Sequence, residues 1–489
     1  MQDLRRKQIV SLEKQYQNLQ FVRETLEQTP IFQYDEDDIP RLVITHEPEF
    51  AQTLGSLHPE VFLFSKAVDA KRAKYQHRFF RETIRQKSGS LVFTVRQILE
   101  MGTDDLHERY NLEQLALTSI VYRLSDEVPI DSVSAEERRT LTDEYKKDAI
   151  KKMTITQLID VIMSRPTVII KKAENAAHLC SNKVEMDPLT NLTFCRDQQI
   201  TTAKGVVLGS MALVQRVAET TLMRFVFNKL RIPIVGEIDP STGGKLEGGD
   251  FLPGGKKICF IGVGLRTNMT AIEYMLKNDL FGTDYVCVVK DTLDLHPDRM
   301  HLDTVFGLLD KENVIMSDDV IGPTSDRRRL VWEYRRVPVG AKPVGGTEVI
   351  GHYELSQQDV EFSEYLKARG YHVISIPARL QLILGVNVLN LGKGNVCCTN
   401  EETARIIIAD GHFKGSIYVV PFDEITAMNG GVHCATFVVR HPPETQFSVI
   451  PASHTPGTPI ITSAASPSFA EAMRRGSIPA RYPDLIDDE

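Results

Sequence analysis

A mixed α/β fold is predicted for this chain of 489 residues, chiefly from two features of its second half. From about residue 186 to 441 short β-rich runs recur, namely KGVVLGSM, KKICFIGVG, DYVCVVK, YHVISIP, NVLNL, GSIYVVPF and CATFVVRH. Helix-periodic stretches such as MALVQRVAETTLMRFVFNKL and DVEFSEYLKARG fall between them, and Gly and Pro punctuate the turns. Many short strands with interleaved helices suit a doubly wound sheet, a barrel or a propeller-like array. Periodicity does not choose among these, and no literal repeat is visible.

The rest of the chain divides by composition. Residues 1–40 read as an N-terminal extension, a charged amphipathic helix followed by the acidic linker YDEDDIP. Residues 41–103 read as the first part of the mixed fold, with LVITHEP a strand, a helix through Val68–Gln86 and LVFTV a strand. Between 104 and 185, DDLHERYNLEQLALTSIVYRL and AEERRTLTDEYKKDAIKKMTITQLIDVIM carry apolar residues at helical spacing with few β-type runs. That stretch is expected to be an inserted helical subdomain, with 186–441 completing the mixed fold. Residues 442–489 are rich in Pro, Ser and Thr, which predicts a flexible tail with one helical stretch in FAEAMRR.

Charged residues at 25% and hydrophobic ones at 42% fit an ordinary globular protein. The formal net charge of -8 argues against a nucleic-acid surface and suits a cationic small substrate. No apolar run approaches the roughly 20 residues that cross a bilayer. The opening MQDLRRKQIVSLEKQYQ lacks the apolar segment of a secretory signal, and its acidic residues disfavour a transit peptide. The seven cysteines are odd in number and lack metal-ligand spacing. Adjacent Cys397 and Cys398 read as strand packing, and the set predicts a reducing compartment, most simply the cytosol.

Four segments hold more ionisable groups than packing requires: NLTFCRD, with Asn191, Arg196 and Asp197; KLEGGDFLP, with Glu247 and Asp250; MHLDTVF, with His301 and Asp303; and NGGVHCATF, with His433 and Cys434. Taken singly, each has a bland reading. His301 and Asp303 share a face if the segment is extended, but such pairs are more often surface groups. Glu247 beside two glycines is usually a loop residue. Cys434 reads as the start of an apolar strand, where cysteine is usually a small buried hydrophobe. In a strand His433 would face away from it, which removes His433 as the base. A metal site from His301, Asp303 and His433 has no close ligand pair with zinc-like sequence spacing, and no metal and no cofactor are expected.

Together the segments resemble the arginine deiminases, within the wider group of guanidine-modifying enzymes. The family's motifs look like F-T-R-D, L-E-G-G-D, G-x-x-R-T-S, M-H-L-D-T-V-F and a glycine-rich turn ending in Cys. This chain reads FCRD, LEGGD, GLRTN, MHLDTVF and GGVHC in the same order. Weaker similarity at VFLFSKAVDAKRAKYQH extends the resemblance over about 41–441. It implies five ββαβ units arranged as an α/β propeller, with a helical bundle inserted after the first.

The resemblance also implies the chemistry. A guanidinium is a poor electrophile whose charge is costly to desolvate unless carboxylates meet it. Asp197 and Asp303 are implied to bind it, and Cys434 to attack its carbon as a thiolate. His301 is implied to protonate the departing ammonia and then to activate water, with Glu247 holding both the substrate and the charged imidazole. Asp250 is expected to be structural. Asn191, Arg216 and Arg266 align with positions that bind the α-carboxylate of free L-arginine, although Arg216 in a helical run otherwise reads as a solvated charge.

Several residues depart from the pattern. Val432 replaces the third glycine of the turn, Asn429 stands where some bacterial relatives carry a gating arginine, Cys195 replaces a threonine, and Ser65-Lys66 replaces an Asp pair. The loop before Asn387 is shorter than is common. The reaction expected is hydrolysis of L-arginine to L-citrulline and ammonia by a homo-oligomer, a dimer or tetramer. The rivals are an amidinotransferase, disfavoured by Glu247 where the transferase pattern has Asp, and a non-catalytic arginine-binding protein.

Overall fold

A computed structural model of the chain describes residues 18–28, 30–172, 179–255, 257–338 and 349–441. The predicted FAEAMRR helix and the opening MQDLRRKQIVSLEKQYQ lie outside the described residues.

The fold is mixed α/β. Among the described residues the strands form six separate sheets, and none closes into a barrel. One pairing pattern occurs five times. A short edge strand runs antiparallel to a middle strand, a helix follows, and a third strand returns parallel to the middle one. Gln199–Thr201, Val206–Leu208 and Ile234–Glu237 follow it around the helix Val217–Leu230. Phe251–Pro253, Ile258–Val263 and Tyr285–Lys290 follow it around Met269–Lys277. Phe306–Leu308, Asn313–Ser317 and His372–Ile376 do so around Phe362–Ala368. Leu389–Asn390, Asn395–Cys398 and Ser416–Val419 do so around Glu401–Asp410. The fifth set joins the two ends of the fold: Phe437–Arg440 is antiparallel to Pro40–Thr45, which is parallel to Leu91–Thr94 across the helix Ala70–Ser88.

Local chemistry fixes these elements. Pro40–Thr45 is buried on both faces, so its run PRLVIT is apolar at successive positions without polar alternation. Ala70–Ser88 begins where the Asp69 carboxylate accepts the Arg72 N–H and ends at Gly89, whose φ of 70° suits a residue without Cβ. Its Ala73, Phe80 and Ile84 pack with Val92, Val438 and Phe422 in one apolar cluster.

Three stretches differ from expectation. The 104–185 region contains helices Leu106–Ser119, Asp143–Ile150 and Ile155–Ser164, but also a sheet of Val121–Leu124, Pro166–Lys172 and Leu179–Met186. The helical spacing of ALTSIVYRL masked the first of these strands, which begins after the Ser119 turn and pairs with a partner more than forty residues on. In DVEFSEYLKARG the strand Tyr353–Glu361 runs on until Glu361 caps the helix Phe362–Ala368 by accepting the Glu364 N–H. The acidic YDEDDIP is a buried wall of the fold, unlike a linker: Asp35, Glu36 and Asp38 are buried, and Glu36 pairs with Arg440. Ahead of it, helix Leu19–Glu27 docks through Leu19, Val22 and Leu26.

Among the described residues no helix is long and apolar enough to cross a membrane.

Candidate active site

The five edge strands are each preceded by a short turn, and those turns carry the ionisable groups. Asp197 precedes Gln199–Thr201, Glu247 precedes Phe251–Pro253, and His301 and Asp303 precede Phe306–Leu308. Asn387 precedes Leu389–Asn390, and Cys434 precedes Phe437–Arg440. Equivalent positions in five units thereby bring distant segments together.

Cys434 does not lie in a strand, which corrects the reading of CATFVVRH. Its backbone N–H is accepted by the Asn387 side chain, and the strand starts only at Phe437. The buried sulfur lies 3.5 Å from Asp303 Oδ2 and 3.2 Å from Asn387 Nδ2. Burial, then the charges of Asp303 and Asp197, push the thiol well above its ordinary range.

MHLDTVF is not extended either. It turns as a 3-10 helix at Leu302–Thr304, pinned by Asp250 Oδ1, which accepts the Leu302 N–H at 2.9 Å. Burial raises the Asp250 carboxyl to about 6, against the pull of His301. Both His301 and Asp303 still point inward. His301 Nε2 is 2.8 Å from Glu247 Oε2, and Nδ1 is 3.9 Å from Asp197 Oδ1. Burial opposes its charge, but the Asp197 charge and the Glu247 hydrogen bond outweigh burial and raise the imidazole to about 9. The ring is therefore a cation near neutral pH. Asp197 and Glu247 are held below the usual carboxylate range in return: burial raises both, and His301 and Arg216 more than offset it.

Glu247 is fixed by the Ala212 N–H, which donates to Oε1 at 2.8 Å, and Asp197 by the Gly249 N–H at 3.2 Å. Close approach needs both glycines of LEGGD. A Cβ on Gly248 would sit 2.0 Å from the Arg196 carbonyl oxygen, and one on Gly249 would sit 2.7 Å from His301 Nδ1.

The three residues expected at the substrate carboxylate are placed differently from one another. Arg216 is buried at the start of its helix, unlike a solvated charge, and donates to Asp197 Oδ2 at 2.6 Å and to Glu219 Oε2 at 2.8 Å. Its other contacts are the Asn191 and Phe194 carbonyls, so most of its donors face protein oxygens. Asn191 donates from its side chain to the Phe62 carbonyl at 3.2 Å. Arg266 is only loosely held, with Nη1 3.8 Å from Glu247 Oε2.

Three residues of this neighbourhood gave no functional signal in the sequence: Asn387, Glu219 and Glu36. His433 was set aside as facing away from Cys434. It reaches the site through Asp303 instead, with Nδ1 2.8 Å from the same Oδ2 that faces the sulfur. Its Nε2 is 3.7 Å from Glu36 Oε1. Of the departures, Asn429 takes φ 68° and donates to the Leu63 carbonyl, while Val432 and Cys195 are packed in apolar clusters.

Asp197, Glu247 and His301 have donor atoms within 4.8 Å of one another, a spacing that can hold a metal ion. His372, Asp410 and His412 form a second, more exposed trio. Two imidazole–carboxylate hydrogen bonds of 2.9 Å account for it.

A buried thiol and an imidazolium set among several carboxylates suit attack on a planar cation. The family model for arginine deiminase matches residues 60–441. The chain belongs to the arginine deiminase family. Among relatives, the arginine deiminase of Metamycoplasma arthritidis is 27% identical over 316 residues, which cover 62% of this chain and 69% of that protein. The arginine deiminase of Streptococcus uberis is 25% identical over 431 residues, covering 83% and 97%. Among solved structures, an amidinotransferase from Microseira wollei in the saxitoxin biosynthetic pathway covers 84% of this chain and 97% of its own, with 14% identity and a TM-score of 0.48.

Proposed function

We propose that this member of the arginine deiminase family hydrolyses free L-arginine to L-citrulline and ammonia, through a covalent amidino-thioether on Cys434. The observation that carries the reading is the 3.5 Å approach of the Cys434 sulfur to the Asp303 carboxylate, beside an imidazolium clamped by Glu247 and Asp197.

In this reading Asp197 and Asp303 take the substrate guanidinium in a two-sided grip, which fixes its carbon over the sulfur. The incoming cation offsets the two carboxylates that hold the thiol protonated, so the thiol gives its proton to water and the thiolate forms when substrate is bound. The thiolate adds to the guanidinium carbon. The bond from that carbon to one terminal nitrogen then breaks as His301 delivers a proton, and ammonia leaves. Water adds next, with neutral His301 accepting one of its protons; the C–S bond breaks as the added hydroxyl gives its remaining proton to water, which releases citrulline and the thiolate. Glu247 holds the imidazole in place through both proton transfers. Arg266, with Asn191 and Arg216 behind it, receives the α-carboxylate.

The five similar strand sets are read as blades of an α/β propeller around this site, with 104–185 inserted after the first. Six unpaired cysteines among the described residues support a reducing compartment, most simply the cytosol. A homo-oligomer, dimer or tetramer, and the absence of any cofactor remain part of the reading.

The experiment is release of citrulline and ammonia from free arginine by wild type and Cys434→Ala. Wild type should release both in equal amounts and the variant neither. Ornithine with a new guanidino compound would replace the hydrolase by a transferase. Calorimetric arginine binding without ammonia would replace it by a binding protein.

A further inference from the structure

Four of the five turns that precede the edge strands carry the residues to which the proposed reaction gives roles. The fifth carries Asn387, in the bland run LILGVNVLNL. Asn387 is buried, and its side-chain amide uses both donors and both acceptor directions on the turns that carry Cys434 and Asp303. Oδ1 accepts the backbone N–H of His433 at 2.9 Å and that of Cys434 at 3.3 Å. Nδ2 donates to the Asp303 carbonyl at 3.1 Å and to the Cys434 sulfur at 3.2 Å.

These partners settle which way the amide faces. Two backbone N–H groups can only donate, and a carbonyl can only accept, so the reversed amide would meet a repulsive partner at three contacts. The N–H therefore points at the sulfur. Gly431 makes room for it, since a Cβ there would lie 2.4 Å from Asn387 Oδ1.

We propose that Asn387 is a positioning residue for the thiolate, donating a hydrogen bond to the Cys434 sulfur while it clamps the 431–434 turn to the backbone of Asp303. The sulfur otherwise faces a carboxylate, which stabilises S–H and opposes S⁻. An N–H donor acts in the opposite sense, because hydrogen bonds to an ionised acceptor are stronger than those to its neutral form. One amide thus aligns the nucleophile and favours its reactive state. The inference rests on the deiminase reading for its purpose, and on geometry alone for its effect on the sulfur.

The test is alkylation of Cys434 by iodoacetamide across pH in the full chain, read by mass spectrometry of the Cys434 peptide, with kcat and KM for arginine measured alongside. Asn387→Leu keeps the size but removes the N–H donors without adding a charge; Asn387→Ala removes the whole amide and serves if the first does not fold. Either folded variant should move the half-reaction pH upward by about one unit, a roughly tenfold slower alkylation below it, with kcat falling similarly and KM changed much less. A profile superimposable on wild type would overturn the proposal, as would a variant that only lowers Tm and raises KM. Alkylation needs no turnover, so the two readings fail separately. A shifted profile in a chain that releases no citrulline keeps this inference and removes the deiminase; an unshifted profile with normal citrulline release does the reverse.

Discussion

The Cys434 sulfur and the Asp303 carboxylate lie 3.5 Å apart, and both residues are buried. A thiol and an acid at that distance cannot both ionise cheaply, and burial and the charges of Asp303 and Asp197 hold the thiol well above its ordinary range. In the proposed reaction the thiol therefore stays at rest until a cation arrives.

That relationship predicts a charge-selective alkylation. Neutral iodoacetamide should modify Cys434 slowly at pH 7, with its rate still rising above pH 9. A cationic reagent such as chloroacetamidine carries the missing charge and should react faster by about tenfold or more, equivalent to a shift of one pKa unit. Rapid neutral alkylation with a midpoint below pH 7 would show the thiolate to exist without substrate.

In the proposed reaction the pair Glu247 and His301 should set the basic limb of activity. Replacing Glu247 by Gln keeps the shape but removes one of the charges that raise the imidazole to about 9. The basic limb of the kcat/KM profile should move from about pH 9 toward neutrality, and kcat at pH 7 should fall by about 10² or more, as expected when an acid–base residue is mis-set. An unmoved limb with a normal kcat would take Glu247 out of the proton path.

How much of this was legible follows from the type of interaction. LEGGD, MHLDTVF and GGVHC each have a bland reading alone and were legible only as an ordered set that resembles one family, and the glycines beside Glu247 prove to be gaps that His301 and the Arg196 carbonyl fill. The strand order was legible in part: the β-rich runs are strands, but CATFVVRH overruns its strand by three residues because Asn387 captures the N–H groups of His433 and Cys434. Asn387 itself was invisible, since one Asn in an apolar loop has no local signature and its partners lie 46 and 84 positions away. Glu219 was hidden in the same way. On a helix it reads as a solvated charge, and its burial is explained by Arg216 at 2.8 Å and by Gln198, which donates to the same oxygen at 2.7 Å.

The pH dependence of stability should carry the mark of His301. Its folded value of about 9 exceeds the unfolded 6.5, so its contribution is complete below pH 6.5 and disappears as pH rises through 9. The size is on the order of 3 kcal/mol at most. Asp197 and Glu247 are shifted the other way, so their contribution is present above their unfolded values and disappears as pH falls through the lower folded ones. The difference in Tm between wild type and His301→Gln should therefore narrow between pH 6.5 and 9. A difference constant across that window would mean the imidazole is not charged in the folded state.

Substrate choice should depend on Arg266. With Nη1 at 3.8 Å from Glu247 and no closer acid among the described residues, its guanidinium is the more available of the two arginines, Arg216 being engaged by Asp197 and Glu219. Arg266→Ala should raise KM for arginine by about tenfold or more, the scale of one charged hydrogen bond, while barely changing that for agmatine, which lacks the carboxylate. Equal effects on both substrates would reassign Arg266 to the guanidinium end.

Gly249 offers a test of positioning that removes no functional group. It does not need a left-handed backbone, so alanine there meets only a steric limit, a Cβ placed 2.7 Å from His301 Nδ1 and 2.8 Å from its Cγ. The ring is held on its other side by Glu247 at 2.8 Å and cannot retreat without lengthening that bond. Gly249→Ala should therefore lower kcat by about 10²-fold, the scale of a one-ångström displacement of a catalytic group, while leaving KM for arginine nearly unchanged. Gly243, where a Cβ meets nothing within 4 Å, makes the contrasting site. Its φ of 76° means alanine there strains the backbone, so Gly243→Ala should lower Tm and spare kcat. Kinetics and thermal melts of the two variants separate displacement of the imidazole from loss of stability, and a Gly249→Ala protein with wild-type kcat would show that the ring has room the structure denies it.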